Sequence, residues 1–433
     1  MEGAGILGLA SRPLHRGTLR LAALAMVVAA IGIGLVARRS GLDLGAPLAP
    51  FFWAHLLFPA RHPWWPLPIL ALALCGALAL VHSPRLPSWA FTGGAFVLAL
   101  GSRLGLALGQ RGEREWWWPL VRPNSRDTEY PAAYPFVRGH VLAFIDHFAE
   151  SVPQLPEHPS GHPVGATLAF FELDNLTGGP HGTAIALCAI GALAVAPALW
   201  LGRAFGGEVV ARRAVVLFAL APDTLIYGAT SYDAAFVPIT TLSAWLLITR
   251  RLRLGALVAS AAFLLSYALA VAPLWAALVL GRRSGLRAAA WSAGVALAAL
   301  GLMAILLGYD PIHALLETRR AYARGIGTVR PQWYWLLGGP AAFLVMLGPL
   351  LGERLLAAGE RGSAAARALL ACVLLAALSG VIEAEVERIL QFMVPLAAVA
   401  AAPLIPSRRW LAIGLAIGLA QAYFIEIRWD TTF

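Results

Sequence analysis

Long apolar segments alternate with short polar ones along almost the whole chain, from Leu21 to Phe424. A helix needs roughly 20 apolar residues to cross the hydrocarbon core of a bilayer. Irregular backbone exposed to lipid is excluded because its polar groups would lack partners. The pattern therefore predicts an all-α, polytopic membrane protein. We expect eleven spans, at about residues 21–37, 64–81, 88–108, 181–202, 210–228, 231–249, 288–308, 336–352, 365–382, 389–405 and 409–425.

The apolar stretch at residues 254–281 is too long for one span and is interrupted by Ser266, Tyr267 and Pro273. Arginines flank it at both ends. Because arginine at both ends favours the same side of the membrane, we expect a short helical hairpin that enters and returns on that side. The hairpin brings the expected total to about 13 helices.

The charges predict an orientation. All 33 basic residues are arginine, which together with the Ala, Leu, Gly and Pro bias suggests a GC-rich bacterial source. With the N-terminus inside, 18 arginines but only four of the 23 acids fall in inner loops. Positive charge in short loops marks the cytoplasmic side. We therefore expect the N-terminus inside, the C-terminus outside, and a location in the bacterial cytoplasmic membrane.

The net charge of +10 does not indicate a nucleic-acid partner. That function would need a basic stripe with interleaved aromatic residues on a soluble face, and the sequence has none. Cys75, Cys188 and Cys372 all lie within apolar runs, so we interpret them as small core residues and not as a disulfide or metal set.

A polar segment at residues 110–181 separates the third and fourth spans and predicts a large external loop with amphipathic helices. Its acidic motif holds Asp127, Glu129 and Tyr130. A carboxylate at a membrane edge can act as a general base on an incoming hydroxyl group. The alternative is a solvated loop with ordinary charges.

Two histidines in the same loop, His158 and His162, are each followed by proline and enclose a glycine. This composition predicts a rigid turn that orients both imidazoles. The imidazoles could hydrogen-bond a phosphate, orient a lipid or acceptor, bind a divalent metal together with carboxylates, or simply begin the next helix.

Charged residues also stand at the ends of later spans. Asp233 lies at the outer end of one span, where it could serve a site or act as a first-turn acid of the next helix. Glu385 and Arg388 open another span, and a guanidinium there suits a phosphate. The alternative for Arg388 is a snorkelling arginine paired with Glu385.

A second external loop, residues 309–335, holds Arg319 and Arg320 at helical spacing and ends in Trp333, Tyr334 and Trp335. We expect an interfacial helix that forms one wall of a lipid-headgroup pocket. The predicted orientation places all of these polar clusters on the outer face, which favours one outward-facing functional site.

This layout resembles the C-type superfamily of integral-membrane glycosyltransferases, which use polyprenyl-phosphate sugars. Asp127 occupies the place of the family's essential acid in the first external loop. His158-Pro159-Ser160-Gly161 is similar to the His-Pro-Pro motif of protein O-mannosyltransferases. The segment from Glu385 to Arg388 is similar to a Glu-x-x-Arg motif of actinobacterial cell-envelope members, with serine replacing a proline in the earlier motif.

The resemblance implies a two-span N-terminal addition at residues 1–87 and a glycosyltransferase module at 88–433, with external loops at 110–181 and 309–335. It implies inverting transfer of a monosaccharide from a polyprenyl-phosphate donor to a hydroxyl group of a glycan, glycolipid or protein. Asp127 and Glu129 would be catalytic. The implied substrate- or phosphate-binding residues are Tyr130, His158, His162, Asp233, Arg319, Arg320, Glu385 and Arg388.

No cofactor is required for this chemistry, although a divalent metal held by Asp127 and His158 stays open. Two other functions also stay open. A secondary transporter or flippase of lipid-linked sugars would use charged groups near the bilayer midplane. An oligosaccharide ligase or polymerase would share the face and the donor type.

Overall fold

The computed structural model describes residues 15, 17–46, 60–120, 128–380, 382–429 and 431. All regular structure in this part of the chain is helical, so the all-α prediction is confirmed there. Asp127, the expected catalytic base, lies outside the described residues.

The helices of the first half begin with three long ones, continue through the short helices of the predicted external loop, and return to long ones. They are α1 (Thr18–Arg39), α2 (Pro66–His82), α3 (Ser88–Arg111), α4 (Tyr134–Val137), α5 (Val141–Asp146), α6 (Phe148–Ser151), α7 (Glu157–Gly161), α8 (Val164–Thr177), α9 (Pro180–Ala192), α10 (Val195–Ala219) and α11 (Pro222–Thr230).

The second half contains the longest helix and the second external segment. Its helices are α12 (Phe236–Ile248), α13 (Leu252–Leu265), α14 (Val271–Leu307), α15 (Pro311–Arg324), α16 (Gln332–Met346), α17 (Pro349–Glu360), α18 (Ala364–Leu378), α19 (Val386–Ile389), α20 (Val394–Ala401) and α21 (Arg408–Arg428).

Six helical segments of the described chain are long and apolar enough to cross a membrane, or up to eight if each of two bent pairs counts as one span. These features are those of a membrane protein, but the expected eleven spans are not confirmed. Helical segments join runs that we treated separately: Pro180–Ala219 covers one predicted span and half of the next. Within it, α10 is broken at Gly206 and Gly207, close to the predicted boundary between those two spans. The chain folds back there, since a Cβ atom at Gly202 would lie 2.6 Å from the Cα atom of Ala211.

The predicted hairpin at 254–281 is found in part. Helix α13 ends at Leu265, and Ser266 adopts an extended conformation with φ −155° and ψ 133°. At the other end the helix is broken at Gly281, where the backbone is non-helical, and helical structure resumes from there to Leu307. The chain folds back at this break, since a Cβ atom at Gly285 would lie 2.0 Å from the carbonyl oxygen of Ala277. Gly281 has a φ of 71°, which glycine tolerates without steric cost. The arginines that follow Gly281 lie in the resumed helix and not in a loop.

The centre of the bundle is formed by α10, α12 and α20, which pack against one another. All residues of α20, Val394–Ala401, are buried, so this helix has no lipid-facing side. Helix α1 lies against α16 and α17, and α3 lies against α9, α10 and α11. At one end of the bundle α15 packs on α6 and α7, where the two external segments meet.

The contact between α8 and α13 depends on Gly165. A Cβ atom at Gly165 would lie 2.4 Å from the carbonyl oxygen of Leu264. We expect Gly165→Ala to lower the free energy of unfolding by about 1–3 kcal/mol, because the backbones must separate. The measurement is thermal unfolding of the purified protein in detergent.

Gly301→Ala in α14 is the matched control, because a Cβ atom there meets nothing within 4 Å. This variant is expected to keep or slightly raise the unfolding temperature, since alanine favours helix over glycine by about 1 kcal/mol. Equal unfolding temperatures for the two variants would show that the α8–α13 contact is not tight.

Candidate functional site

Five separate chain segments bring ionisable side chains together at the end of the bundle covered by α15. Glu129 precedes the 3₁₀ turn Tyr130–Ala133, and His158 belongs to α7. Asp233 lies in the 3₁₀ turn Tyr232–Ala235 that leads into α12. Arg330 stands just before α16, and the fifth segment supplies Glu385 and Arg388 at the start of α19. We call these six residues the charge cluster: Glu129, His158, Asp233, Arg330, Glu385 and Arg388.

Arg388 lies at the centre of the charge cluster. Its Nη1 is 3.0 Å from Oδ2 of Asp233, and its Nη2 donates to the carboxylate of Glu385. The same Nη2 lies 3.1 Å from Nε2 of His158. The side chain of Arg388 is only 8% exposed. A guanidinium removed from water to this extent needs such partners, because desolvating an unpaired charge is very costly.

Glu385 bridges two arginines, since its carboxylate accepts from both Arg330 and Arg388. Burial alone would raise the pKa of this carboxyl group, but Arg330, Arg388 and His158 together hold it lower, at about 2. The backbone of Glu385 is left-handed, with φ 57° and ψ 18°. This region is uncommon for residues other than glycine and is found at functional sites.

His158 links the first external loop to the charge cluster. Its backbone N–H donates to the carbonyl oxygen of Thr128 at 2.9 Å, and its Nδ1 lies 3.0 Å from Oε1 of Glu129. Because a guanidinium only donates, Nε2 accepts from Arg388 and the proton of the neutral ring stands on Nδ1, facing Glu129. Burial opposes a charge on His158, but the carboxylate of Glu129 outweighs it and raises the pKa of His158.

Asp233 is held by its own turn as well as by Arg388. Ser231 Oγ donates to Asp233 Oδ2 at 2.9 Å and accepts from the backbone N–H of Asp233 at 3.0 Å. The carboxylate also stands before the N-terminus of α12, where the helix dipole favours negative charge. Asp233 is thus a first-turn acid of the 3₁₀ turn Tyr232–Ala235 whose carboxylate also contacts Arg388, while its role in a functional site stays a prediction.

Tyr130 and His162 support the charge cluster from an aromatic layer. The ring of Tyr130 is buried, with centroids 4.6 Å from Phe170 and 4.9 Å from Tyr232. His162 Nδ1 lies 2.8 Å from the carbonyl oxygen of His158 and donates to it. Burial lowers the pKa of His162, so this ring stays neutral and fixes the end of α7.

The second external loop contributes a buried arginine that no sequence pattern singles out. Arg319 and Arg320 both lie on the exposed side of α15, away from the charge cluster, and Arg320 pairs with Glu317. Arg330, further along the same loop, is buried and reaches Glu385. Its position before Pro331 indicates only an extended backbone and does not distinguish it from the exposed arginines of the loop.

The metal hypothesis stays a prediction. Among the residues that the structure describes, no group of three or more His, Cys, Asp or Glu side chains is arranged to hold a metal ion. Asp127, one of the two proposed ligands, falls outside that part of the chain. The charge cluster itself is balanced by arginine, which a cation would have to displace.

No protein-family profile matches this chain, and no curated protein is significantly similar to it in sequence. The charge cluster has the groups to bind an anion between two buried guanidinium groups and to move a proton through a carboxylate–imidazole pair.

Replacing Arg388 is expected to destabilise the protein strongly. Arg388→Met would leave the carboxylates of Asp233 and Glu385 short of a buried counter-charge, which typically costs about 3–5 kcal/mol. Arg320→Met is the control, because an exposed ion pair contributes about 1 kcal/mol or less. Thermal unfolding in detergent compares the two, and a small effect of Arg388→Met would show that the cluster is well hydrated.

Proposed function

We propose that the chain is an inverting glycosyltransferase that takes a monosaccharide from a polyprenyl-phosphate donor at the outward face of a membrane. The observation that supports this best is the charge cluster, in which two buried arginines and three carboxylates from distant segments meet beside α7. Such a site on an all-α membrane scaffold suits a substrate with a lipid tail and an anionic head.

The donor phosphate is proposed to bind at Arg330 and Arg388. Both guanidinium groups already face one anion, the Glu385 carboxylate. A phosphate group, like a carboxylate, is an anion whose oxygens accept two parallel N–H hydrogen bonds from a guanidinium group. Binding would therefore exchange one anion for another between the arginines. Arg319 and Arg320, which lie outside the cluster, are not needed for this role.

The proposed base is Asp127, with Glu129 as the neighbouring carboxylate. Asp127 removes the proton from the acceptor hydroxyl, and the resulting oxygen attacks the anomeric carbon. The bond from that carbon to the phosphate oxygen breaks on the opposite face, and polyprenyl phosphate leaves with the electron pair. Arg330 and Arg388 stabilise the negative charge that develops on the leaving phosphate. The anomeric configuration is inverted.

His158 and Glu129 are proposed to position the loop that carries the base. The backbone bond from His158 to Thr128 and the Glu129–His158 contact attach residues 128 and 129 to α7. Arg388, the proposed phosphate ligand, contacts the same imidazole. The side chain of His158 therefore connects the loop that carries the base to the proposed phosphate site. This connection gives His158 a positioning role.

Asp127→Asn is expected to lower the rate of sugar transfer at least about 100-fold, because a general base raises a reaction rate by about 10²–10⁴-fold. The protein should still fold and bind a polyprenyl-phosphate sugar. Glu150→Gln, whose side chain is 60% exposed in the same loop, is the matched control and should transfer normally. Transfer is measured with purified protein, a panel of polyprenyl-phosphate sugars and a hydroxyl acceptor.

Transfer by Asp127→Asn at nearly the parental rate would eliminate Asp127 as the base. The same experiment on Glu129→Gln then decides whether the neighbouring carboxylate takes the role. Retention of anomeric configuration in the product would contradict the single displacement.

A transporter of lipid-linked sugars is the second candidate, and the broken helices favour it. Helices α11 and α12 are bent by 107° at the segment that holds Asp233, and α16 and α17 are bent by 115°. Discontinuous helices that present polar groups at the break are common in secondary transporters. Flux of a labelled lipid-linked sugar across vesicles, without transfer to any acceptor, would support this candidate over the enzyme.

A further inference from the structure

Helix α15 combines a buried side and an exposed side that differ sharply in composition. Ala314 and Thr318 are buried against the external segments, where α15 contacts α6 and α7. The opposite side exposes three large aliphatic residues, with Ile312 72%, Leu315 48% and Leu316 47% exposed. Exposed aliphatic side chains grouped on one helical face usually mark an interaction surface.

The exposed side is also strongly basic. Arg319, Arg320 and Arg324 are all exposed, and the nearby acid Glu317 is mostly covered and pairs with Arg320. Arginines beside an aliphatic stripe are typical of helices that lie in a membrane interface and contact anionic headgroups. We call this surface the aliphatic–arginine face of α15.

The connections of α15 keep this face close to the bilayer. Only residues 308–310 separate it from α14, whose last residues Ile305 and Leu306 are 82% and 67% exposed. Three linking residues span at most roughly 10 Å at about 3.5 Å each. At the other end, Trp333 at the start of α16 is 52% exposed, and tryptophan prefers the membrane–water boundary. The aliphatic–arginine face thus continues the exposed apolar surface of a candidate membrane span.

We propose that the aliphatic–arginine face of α15 docks into the bilayer leaflet on the side of the charge cluster and binds anionic phospholipid headgroups there. Ile312, Leu315 and Leu316 enter the apolar region, while Arg319, on the same side of the helix, contacts lipid phosphates. A lipid partner accounts for both halves of the face, because a bilayer supplies an apolar layer directly below a layer of negative charge.

A labelling experiment tests the depth of the face. Single cysteines replace Leu316 or His313 in a Cys75→Ala background, since Cys75 is exposed and Cys188 and Cys372 are buried. His313 is the control on the same helix, turned toward Glu150 of the external loop. Each protein is labelled with an environment-sensitive fluorophore and reconstituted in phosphatidylcholine with phosphatidylglycerol, using brominated lipids as quenchers.

The label at Leu316 is expected to emit at shorter wavelength and to lose most of its fluorescence to brominated lipid, while the label at His313 keeps most of its own. A label at Leu316 that stays in a water-like environment would overturn the proposal and indicate that the face is free or covered by another protein. Equal quenching at both positions would overturn the orientation of the helix.

Headgroup recognition is tested with bromine placed on phosphatidylglycerol or on phosphatidylcholine in the same mixture. Quenching of the Leu316 label is expected to be stronger by the anionic lipid. Each basic residue near an anionic membrane surface contributes about 1 kcal/mol to binding, which corresponds to about a fivefold local enrichment of the anionic lipid. The variant Arg319→Gln should therefore bring the two quenching levels closer together. An unchanged difference would overturn headgroup binding by Arg319 while leaving the aliphatic contact intact.

Discussion

The burial of Arg388 is the constraint on which the rest of the site depends. A guanidinium that is almost removed from water is tolerable only if carboxylates and hydrogen-bond acceptors surround it. Asp233, Glu385 and His158 meet that need from three different parts of the chain. Each of these partners is in turn held by a second group: Ser231, Arg330 and Glu129. The charge cluster therefore links both external segments to the bundle, while α15 packs on α7 and joins the two segments to each other.

Much of this arrangement could be predicted from sequence, because its residues break a simple pattern. In a chain that is only 13% charged, charged residues at the ends of apolar runs stand out, which is how Asp233, Glu385 and Arg388 were selected. Histidine between prolines likewise selected His158. The helices themselves followed from length and hydropathy, and several bounds differ by only a few residues: the first predicted span, 21–37, lies within Thr18–Arg39.

The remaining features depend on contacts that periodicity does not encode. Helical spacing placed Arg319 and Arg320 on one side of a helix, but only packing decides which side faces the protein. Arg330 was missed because an arginine in a loop has no pattern that distinguishes a buried position from a solvated one. Glycine positions posed the same problem: the backbone is non-helical at Gly207 and Gly281 and breaks the helix there, whereas Gly301 lies within a continuous helical stretch. The number of spans depends on those breaks, which explains why it could not be counted from apolar runs.

The position of the charge cluster also follows from where the helices are interrupted. Asp233 lies in the irregular turn between α11 and α12, and Glu385 adopts its left-handed conformation just before α19. Backbone that leaves the helix near membrane depth must find its hydrogen bonds within protein or in a water-filled cavity. At the charge cluster the interruption and the polar side chains coincide, because the turn that holds Asp233 and the left-handed residue Glu385 both place carboxylates next to Arg388. The bend between α11 and α12 and the buried Arg388 are thus two parts of one arrangement, in which the turn at the bend supplies a carboxylate to the guanidinium.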